Sequence, residues 1–372
     1  MQGVTRREFI GAATLGSMAA SVMAAAQPDL SEEFLVKPDE LTLRLRREPG
    51  KRRLSYHNLS SSYGQWSGMC RTKLTELIGY HRPKRCRAER LRTCRTDGVA
   101  IEAWAMRVSD SLTLPAYLLV PRGDSATRHA VMAIHGHGEV EALLGLYDDY
   151  HHVFGLELAK AGHLVLCPAL RGFGPLYDMA VSDPGRTLDY WGPSRGHQFT
   201  LVTDAFLFGQ TVIGETVADL IRWEDWLARE RGVRSVDAVG ISYGGDLAIT
   251  YPAFSRRVRR IYCSGSMGSF SGIFARCYNA PAHCVPHVLQ WMDRSDIAGL
   301  SAPRPIRLHY GELDTPGPDN ASAAYNETVE PALAELRAIY AAAGAPRDAV
   351  SMHVTPGAAH EMDIADLVEF LA

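Results

Sequence analysis

The chain has 372 residues, of which 46% are hydrophobic and 22% are charged. This composition is typical of a globular protein with one large domain or two smaller ones. With 39 Lys and Arg against 42 Asp and Glu, the formal net charge is −3, which gives no electrostatic reason to expect nucleic-acid binding. The 33 Gly and 20 Pro are ordinary fractions, and the body of the chain has no apolar run of about 20 residues. Disordered, collagen-like and polytopic membrane proteins are therefore excluded.

The N-terminus has the features of an export signal. Arg6 and Arg7 precede an uncharged, Gly/Ala/Ser-rich stretch over 9–26 that ends in three alanines. Paired arginines, a mildly apolar segment and small residues at the end predict a twin-arginine signal peptide over 1–26, with cleavage after Ala26. A frayed basic end before an amphipathic helix and a retained membrane anchor are the alternatives. Cleavage implies the twin-arginine export machinery as a partner, a periplasmic or secreted bacterial protein, and no stable membrane span afterwards.

Residues 27–95 read as an accessory N-terminal extension. This segment is polar and irregular, with a basic run over 44–53 that is typical of a solvated surface. A short helix is predicted over 66–80.

The character changes after residue 96, where apolar runs alternate with helical patterns. This alternation predicts a mostly parallel sheet with helices on both faces, an α/β fold. The first two strands follow each other without a helix, and they are expected to form an antiparallel edge. The predicted strands are 100–108, 114–121, 129–136, 163–170, 236–242, 258–266, 304–314 and 349–356. The predicted helices are 155–161, 214–231, 244–254, 322–343 and 361–371.

The seven cysteines do not show the paired Cys-x-x-Cys spacing of a zinc site. Cys86 and Cys94, or Cys277 and Cys284, are close enough in sequence to form disulfides in an oxidising compartment. The sequence leaves the pairing open.

A G-x-S-x-G motif lies between a predicted buried strand and a predicted helix. Its letters, GISYGG, place Ser242 at the turn. Gly and Ser also cap helices, so the motif alone is weak evidence. Its position between strand and helix is typical of a nucleophile elbow, where a sharp turn exposes the serine hydroxyl at the top of the sheet.

A serine nucleophile requires a base, and the base requires an orienting carboxylate. Asp314 and His360 each follow the end of a predicted strand, at the edge where Ser242 also emerges. They are the candidate acid and base. The competing acids are Glu312 and Asp319, and the competing histidines, His309 and His353, lie inside apolar strands where core histidines are common.

The oxyanion of a tetrahedral intermediate requires preorganised donors. We expect them to be the main-chain N–H groups of Tyr243, directly after the nucleophile, and of His137 in the HGHG turn over 135–138. The many nearby histidines suggest a metal site as a minority alternative. Arg171 is a candidate either for a polar substrate group or for a structural salt bridge.

The chain resembles the α/β-hydrolases, and within them the dienelactone hydrolase and acetyl xylan esterase-like branch, over roughly residues 100–370. The matching stretches are AIHGHGE (133–139), LAKAGHLVLCPALRGFG (158–174), TVADLIRWEDWLA (216–228), AVGISYGGD (238–246) and DIAGLSAPRPIRLHYGELD (296–314). The resemblance implies an α/β-hydrolase catalytic domain over 96–372 with a mostly parallel central sheet. It also implies a triad of Ser242, Asp314 and His360, with oxyanion N–H groups at His137 and Tyr243.

The residues and the resemblance together predict an exported serine esterase that cleaves a carboxylic ester, with an acyl-carbohydrate as one candidate substrate. No metal or organic cofactor is expected. A peptidase of the prolyl-oligopeptidase kind and a non-catalytic binding protein on a hydrolase scaffold are the alternatives.

Overall fold

The computed structural model describes residues 52–123, 128–174, 176, 196–270, 281–314 and 324–372, with the backbone alone at 196–200 and 324–327. The predicted signal segment 1–26 lies outside the described residues. Among those that are described, no helix is long and apolar enough to cross a membrane.

A nine-stranded sheet forms the centre of the fold, in the order β1-β2-β3-β5-β4-β6-β7-β8-β9. The strands are β1 Ala88–Thr96, β2 Val99–Arg107, β3 Thr113–Val120, β4 His129–Ile134, β5 Leu164–Pro168, β6 Ser235–Ile241, β7 Val258–Ser264, β8 Ile306–Gly311 and β9 Val350–Thr355. From β5 across to β9 all neighbours are parallel, whereas β1, β2 and β3 pair antiparallel with each other and β3 with β5. The predicted α/β architecture is confirmed.

Helices flank this sheet. They are α1 Tyr63–Leu77, α2 Phe154–Lys160, α3 Gly196–Leu207, α4 Val212–Glu230, α5 Tyr243–Thr250, α6 Arg294–Gly299, α7 Ala324–Ala342 and α8 Ile364–Leu371. Helix α4 has the two features by which a helix is predicted from sequence. The Thr211 side chain caps its first turn by accepting a hydrogen bond from the Gly214 N–H at 3.0 Å, and the apolar face of the helix is buried. The predicted helices correspond to α1, α2, α4, α5, α7 and α8.

The outer edge of the sheet differs from the expectation. The strands over 100–108 and 114–121 pair antiparallel as predicted, but β1 pairs outside them and forms the edge. The sequence of β1, AERLRTCRT, carries three arginines and is exposed along its length. Charged side chains protect an edge strand from pairing with other chains. They also replace the alternation of apolar and polar residues from which a strand is predicted, so β1 was not predicted from the sequence.

The helix α1 packs against the main body of the protein. Its buried residues Trp66, Cys70 and Leu74 follow one another at four-residue spacing. Tyr63 Oη donates to the carbonyl of Gly299 at 3.0 Å. The part of the extension that the structure describes therefore contributes to the hydrophobic core.

The described cysteines are free thiols. Cys86 and Cys94 form no disulfide, Cys284 is also free, and Cys277 lies outside the described residues. Cys167 in β5 and Cys263 in β7 are fully buried.

Candidate active site

Ser242 occupies a strained turn between β6 and α5. Its φ of 57° and ψ of −125° lie where a non-glycine residue is rarely found, a conformation that costs about 1–3 kcal/mol and is typical of functional sites. The turn requires close backbone approach, because a Cβ on Gly244 would overlap the carbonyl oxygens of Ile134 and His135. The Ser242 N–H donates to the carbonyl of Ser264 at 3.0 Å, which fastens the turn to β7.

Asp314 and His360 form a hydrogen-bonded pair. The distance from His360 Nδ1 to Asp314 Oδ2 is 2.9 Å, and Asp314 is 1% exposed. A carboxylate accepts, so Nδ1 carries the proton and Nε2 is left as an acceptor. That Nε2 atom is buried and has no hydrogen-bond partner within the described part of the chain. The pair therefore leaves one imidazole nitrogen uncommitted in the described chain.

Gly265 gives the His360 ring its space. It has a φ of 57°, and a Cβ there would lie 2.6 Å from His360 Cε1 and 2.7 Å from Nδ1. A side chain at position 265 would therefore displace the imidazole, and only glycine suits both this contact and the backbone conformation.

Tyr150 lies next to both Ser242 and His360. The Tyr150 ring stacks on the His360 ring with 5.4 Å between centroids and 29° between planes. A Cβ on Gly136 would overlap both the Tyr150 hydroxyl and Ser242 Cβ, so those two groups line the same narrow space. No hydrogen bond joins Ser242 Oγ to His360 Nε2 in the residues described, and such contacts often tighten only when substrate binds.

Three hydrogen bonds hold the HGHG turn over 135–138. Gly136 N donates to His151 Nε2 at 2.8 Å, His135 Nδ1 lies 2.8 Å from the Gly136 carbonyl oxygen, and Tyr150 Oη donates to the His137 carbonyl at 2.7 Å. The His137 N–H donates to no group among the residues described here. An oxyanion donor must be a fixed group that is not already committed to another acceptor, and these hydrogen bonds leave the His137 N–H as a candidate.

The Tyr243 N–H is the other expected donor. Tyr243 is the first residue of α5, where N–H groups have no acceptor within the helix and the helix dipole favours negative charge. The roles assigned to Tyr243 and His137 remain predictions.

Histidine and aromatic rings surround the His137 side chain. Its ring stacks on His283 with 5.6 Å between centroids and contacts the edge of Phe173 at 5.3 Å. Burial lowers the pKa of His137 to about 3, and the nearby His283 and His360 act in the same direction. The His137 imidazole is therefore neutral at physiological pH, and its buried Nε2 has no partner in the described chain.

A buried polar network supports the first turn of α5. Asp246, in that turn, hydrogen-bonds to His283 Nδ1 and forms an ion pair with Arg294. Ser266 Oγ lies 2.8 Å from Asp246 Oδ1 and 2.6 Å from the Ser242 carbonyl oxygen. The segment that follows β7 is thereby linked to the residue proposed as nucleophile.

Arg171 forms a buried salt bridge. Its Nε donates to Asp219 Oδ2 at 2.6 Å, and its Nη1 pairs with Glu215. Burial acts to lower the pKa of the Arg171 guanidinium, but the two carboxylates outweigh it and raise that pKa above its usual value. Of the two alternatives for this residue, the structure favours the salt bridge.

The competing residues are placed elsewhere. Both ring nitrogens of His309 are hydrogen-bonded. The ring nitrogens of His353 lie near the carboxylates of Asp363 and Asp366. Glu312 accepts a hydrogen bond from the Gly357 N–H at 2.8 Å. Asp319 lies outside the described residues.

Tyr150 is not among the residues predicted from the sequence, and neither His135 nor His151 was given an individual role there. No group of metal-ligating residues is found in the described ranges. These two histidines instead hold the HGHG turn, a function that no spacing in the sequence indicates.

The fold is that of solved α/β-hydrolase structures. A proposed acetyl xylan esterase from Bacteroides fragilis aligns over 86% of this chain and 84% of its own, with a TM-score of 0.67 and 17% identity. A glucuronoyl esterase from Solibacter usitatus aligns over 84% and 92%, with a TM-score of 0.59 and 14% identity. An acetyl xylan esterase from Thermoanaerobacterium aligns over 88% and 96%, with a TM-score of 0.53 and 15% identity. No family model matches the sequence, and no curated protein matches it significantly.

Proposed function

We propose that this protein is a serine esterase that cleaves a carboxylic ester through an acyl-enzyme on Ser242. The observation that carries the proposal is the Asp314–His360 pair, whose Nε2 atom has no partner in the described chain. Tyr150 stacks on the His360 ring and also borders Ser242, which lies in a strained strand–helix turn. The fold likeness to solved esterases supports it.

In the proposed reaction Ser242 Oγ attacks the ester carbonyl while His360 Nε2 takes the hydroxyl proton. Asp314 keeps the imidazole in the required tautomer and stabilises the imidazolium that forms. The negative charge on the carbonyl oxygen is stabilised by the N–H groups of Tyr243 and His137. His360 then returns its proton to the departing alcohol, and water, activated by the same histidine, hydrolyses the acyl-enzyme. This sequence of steps requires no cofactor.

For the substrate we propose an acyl ester on a carbohydrate. The solved neighbours include proteins named for acetyl xylan and glucuronoyl esters. The His137 ring is neutral and packs against the rings of Phe173 and His283, next to the proposed oxyanion donor.

We also propose that the protein is exported to the periplasm or beyond by the twin-arginine route. The support is the sequence of residues 1–26, with Arg6 and Arg7 before an uncharged stretch. Determining the N-terminal residue of the protein recovered from a bacterial periplasm tests this, and cleavage after Ala26 is expected.

The test of the esterase is Ser242→Ala, with Ser301→Ala as the matched control. Ser301 is also a buried serine, and its hydroxyl has no partner in the described structure. Ser242→Ala should lower kcat on p-nitrophenyl acetate by about 10⁴-fold and abolish labelling by a fluorophosphonate probe, while Ser301→Ala keeps both. Full activity in Ser242→Ala would overturn the proposal.

Acetylated xylo-oligosaccharides, methyl glucuronate esters and aminoacyl amides then test the substrate class. Faster cleavage of the amides than of the esters would contradict an esterase and indicate a peptidase.

A further inference from the structure

A short turn over 149–153 contacts both sides of the candidate active site. On one side His151 Nε2 accepts the Gly136 N–H at 2.8 Å, and Asp149 fixes the His151 ring through Nδ1 at 2.8 Å. On the other side the Tyr150 carbonyl accepts the Met362 N–H at 2.9 Å. The turn therefore connects the loop of the expected oxyanion donor with the loop that carries His360.

A second contact joins this turn to the His360 loop. His152 Nε2 lies 2.9 Å from Glu361 Oε2, one residue beyond His360. The hydrogen bond with His152 lowers the pKa of Glu361, which indicates that the contact favours the ionised carboxylate. The backbone at His152 and Val153 has φ values of 49° and 54°, so the turn adopts a conformation that non-glycine residues rarely take.

Tyr150 is the residue of this turn that reaches the reacting groups. Its hydroxyl donates to the His137 carbonyl at 2.7 Å, and its ring stacks on His360. Burial raises the pKa of the phenol far above its usual value, against a lowering effect of the Ser242 hydroxyl and the His137 main chain. The phenol therefore stays protonated. Since its one proton is donated to His137, its oxygen can still accept a hydrogen bond.

We propose that Tyr150 is a positioning residue for the proposed esterase reaction. Its hydroxyl holds the His137 carbonyl and so fixes the backbone of the residue whose N–H is the expected oxyanion donor, and its ring orients the imidazole of His360. The phenol oxygen is also an acceptor available to the Ser242 hydroxyl, because a Cβ on Gly136 would meet both the Tyr150 hydroxyl and Ser242 Cβ. The inference rests on the proposed function.

Two variants separate the hydroxyl from the ring. Tyr150→Phe removes only the hydroxyl, and Tyr150→Leu removes the aromatic contact as well. Tyr147→Phe is the matched control, because Tyr147 is a neighbouring tyrosine that is 40% exposed and its hydroxyl is 3.5 Å from Glu139. Each variant is compared with the wild-type full chain for melting temperature, kcat and KM on p-nitrophenyl acetate, and rate of fluorophosphonate labelling.

Tyr150→Phe should lower kcat and the labelling rate on the order of tenfold, less than the loss of an oxyanion donor itself, with KM within about twofold and the melting temperature unchanged. Tyr150→Leu should lower kcat further, since His360 then loses its ring contact. The inhibition constant of phenyl trifluoromethyl ketone, whose adduct with Ser242 carries an oxyanion, should rise in Tyr150→Phe by the same factor as kcat/KM falls. A purely structural role would not produce this proportionality.

Wild-type kcat and labelling in Tyr150→Phe would overturn the role of Tyr150 while leaving the esterase proposal intact. So would a loss that appears only in KM or only in the melting temperature. A wild-type protein that neither hydrolyses esters nor labels at Ser242 would overturn both proposals.

Discussion

His309 in strand β8 and His360 in the loop after β9 differ in how many of their ring nitrogens are hydrogen-bonded. His309 is fully buried, with Nδ1 2.8 Å from Ser264 Oγ and Nε2 2.9 Å from Thr355 Oγ1. His360 has one nitrogen engaged by Asp314, and its other nitrogen is without a partner in the part of the chain described.

The difference shows what makes a histidine available as a base. Both rings are hydrogen-bonded and largely enclosed, so neither burial nor a polar neighbour distinguishes them. The distinction is that one ring nitrogen of His360 is uncommitted in the described chain, whereas both ring nitrogens of His309 are engaged. The interior of a strand commits both nitrogens to the core, whereas a loop beyond the end of the sheet can leave one for chemistry.

Within this comparison of histidines, the largest expected effect comes from His360→Gln. This change removes the proposed base and should lower kcat by about 10³- to 10⁴-fold with little change in melting temperature, because the side chain lies at the edge of the fold. Steady-state kinetics and thermal melts measure the two quantities. The matched variant His309→Gln should show the reverse, a lower melting temperature with most of the kcat retained. If His309→Gln abolished kcat in the folded protein, the comparison would be wrong.

The space around the His360 ring gives a second, smaller effect. Gly265→Ala places a Cβ against the imidazole and should lower kcat by about 10- to 100-fold through misplacement of the base, besides destabilising the fold by about 1 kcal/mol.

Gly357→Ala is the control for Gly265→Ala. Gly357 also has a positive φ, 70°, but a Cβ there meets nothing within 4 Å. We therefore expect Gly357→Ala to lower the stability of the fold through the backbone conformation alone, with kcat unchanged. Equal kinetic losses in the two variants would show that strain, and not displacement of His360, controls the rate.

The smallest expected effect is on the pH dependence of stability. Burial lowers the pKa of His309 to about 4, and it lowers the pKa values of His135 and His137 to about 3. Histidines in the unfolded chain titrate near pH 6.5. Below that pH the unfolded state binds more protons than the native state, so stability falls as the pH falls from about 6.5 toward 4.

Urea unfolding at pH 7, 6 and 5 measures this slope. Each buried neutral histidine should contribute about 1 kcal/mol per pH unit between pH 6 and 5, and His309→Gln should reduce the slope by one such contribution. An unchanged slope in His309→Gln would show that His309 is protonated in the native state or does not take part.

Several elements could be read from the sequence because one local pattern determines each of them. The apolar runs of β4 and β6 are buried on both faces, and they were recognised as the strands of a parallel sheet. The GISYGG turn was placed correctly because glycines, a preceding apolar strand and a following helix occur together.

Other features could not be read, and for physical reasons. The strand β1 is exposed and basic, so its assignment depends on pairing with β2 rather than on its own apolar pattern. Tyr150 lies 92 residues before Ser242 and 210 before His360, and no sequence spacing relates groups that only the folded chain brings into contact.

The α/β architecture and the candidates Ser242, Asp314 and His360 could be predicted from the amino-acid sequence, because strand burial and turn geometry are local properties of the chain. The folded chain was needed to show which ring nitrogen is left uncommitted, which arginine is paired with carboxylates, and which tyrosine contacts both the His137 loop and the His360 loop. Hydrogen-bond partners, burial and the resulting pKa values depend on residues that are distant in sequence and adjacent only in the fold.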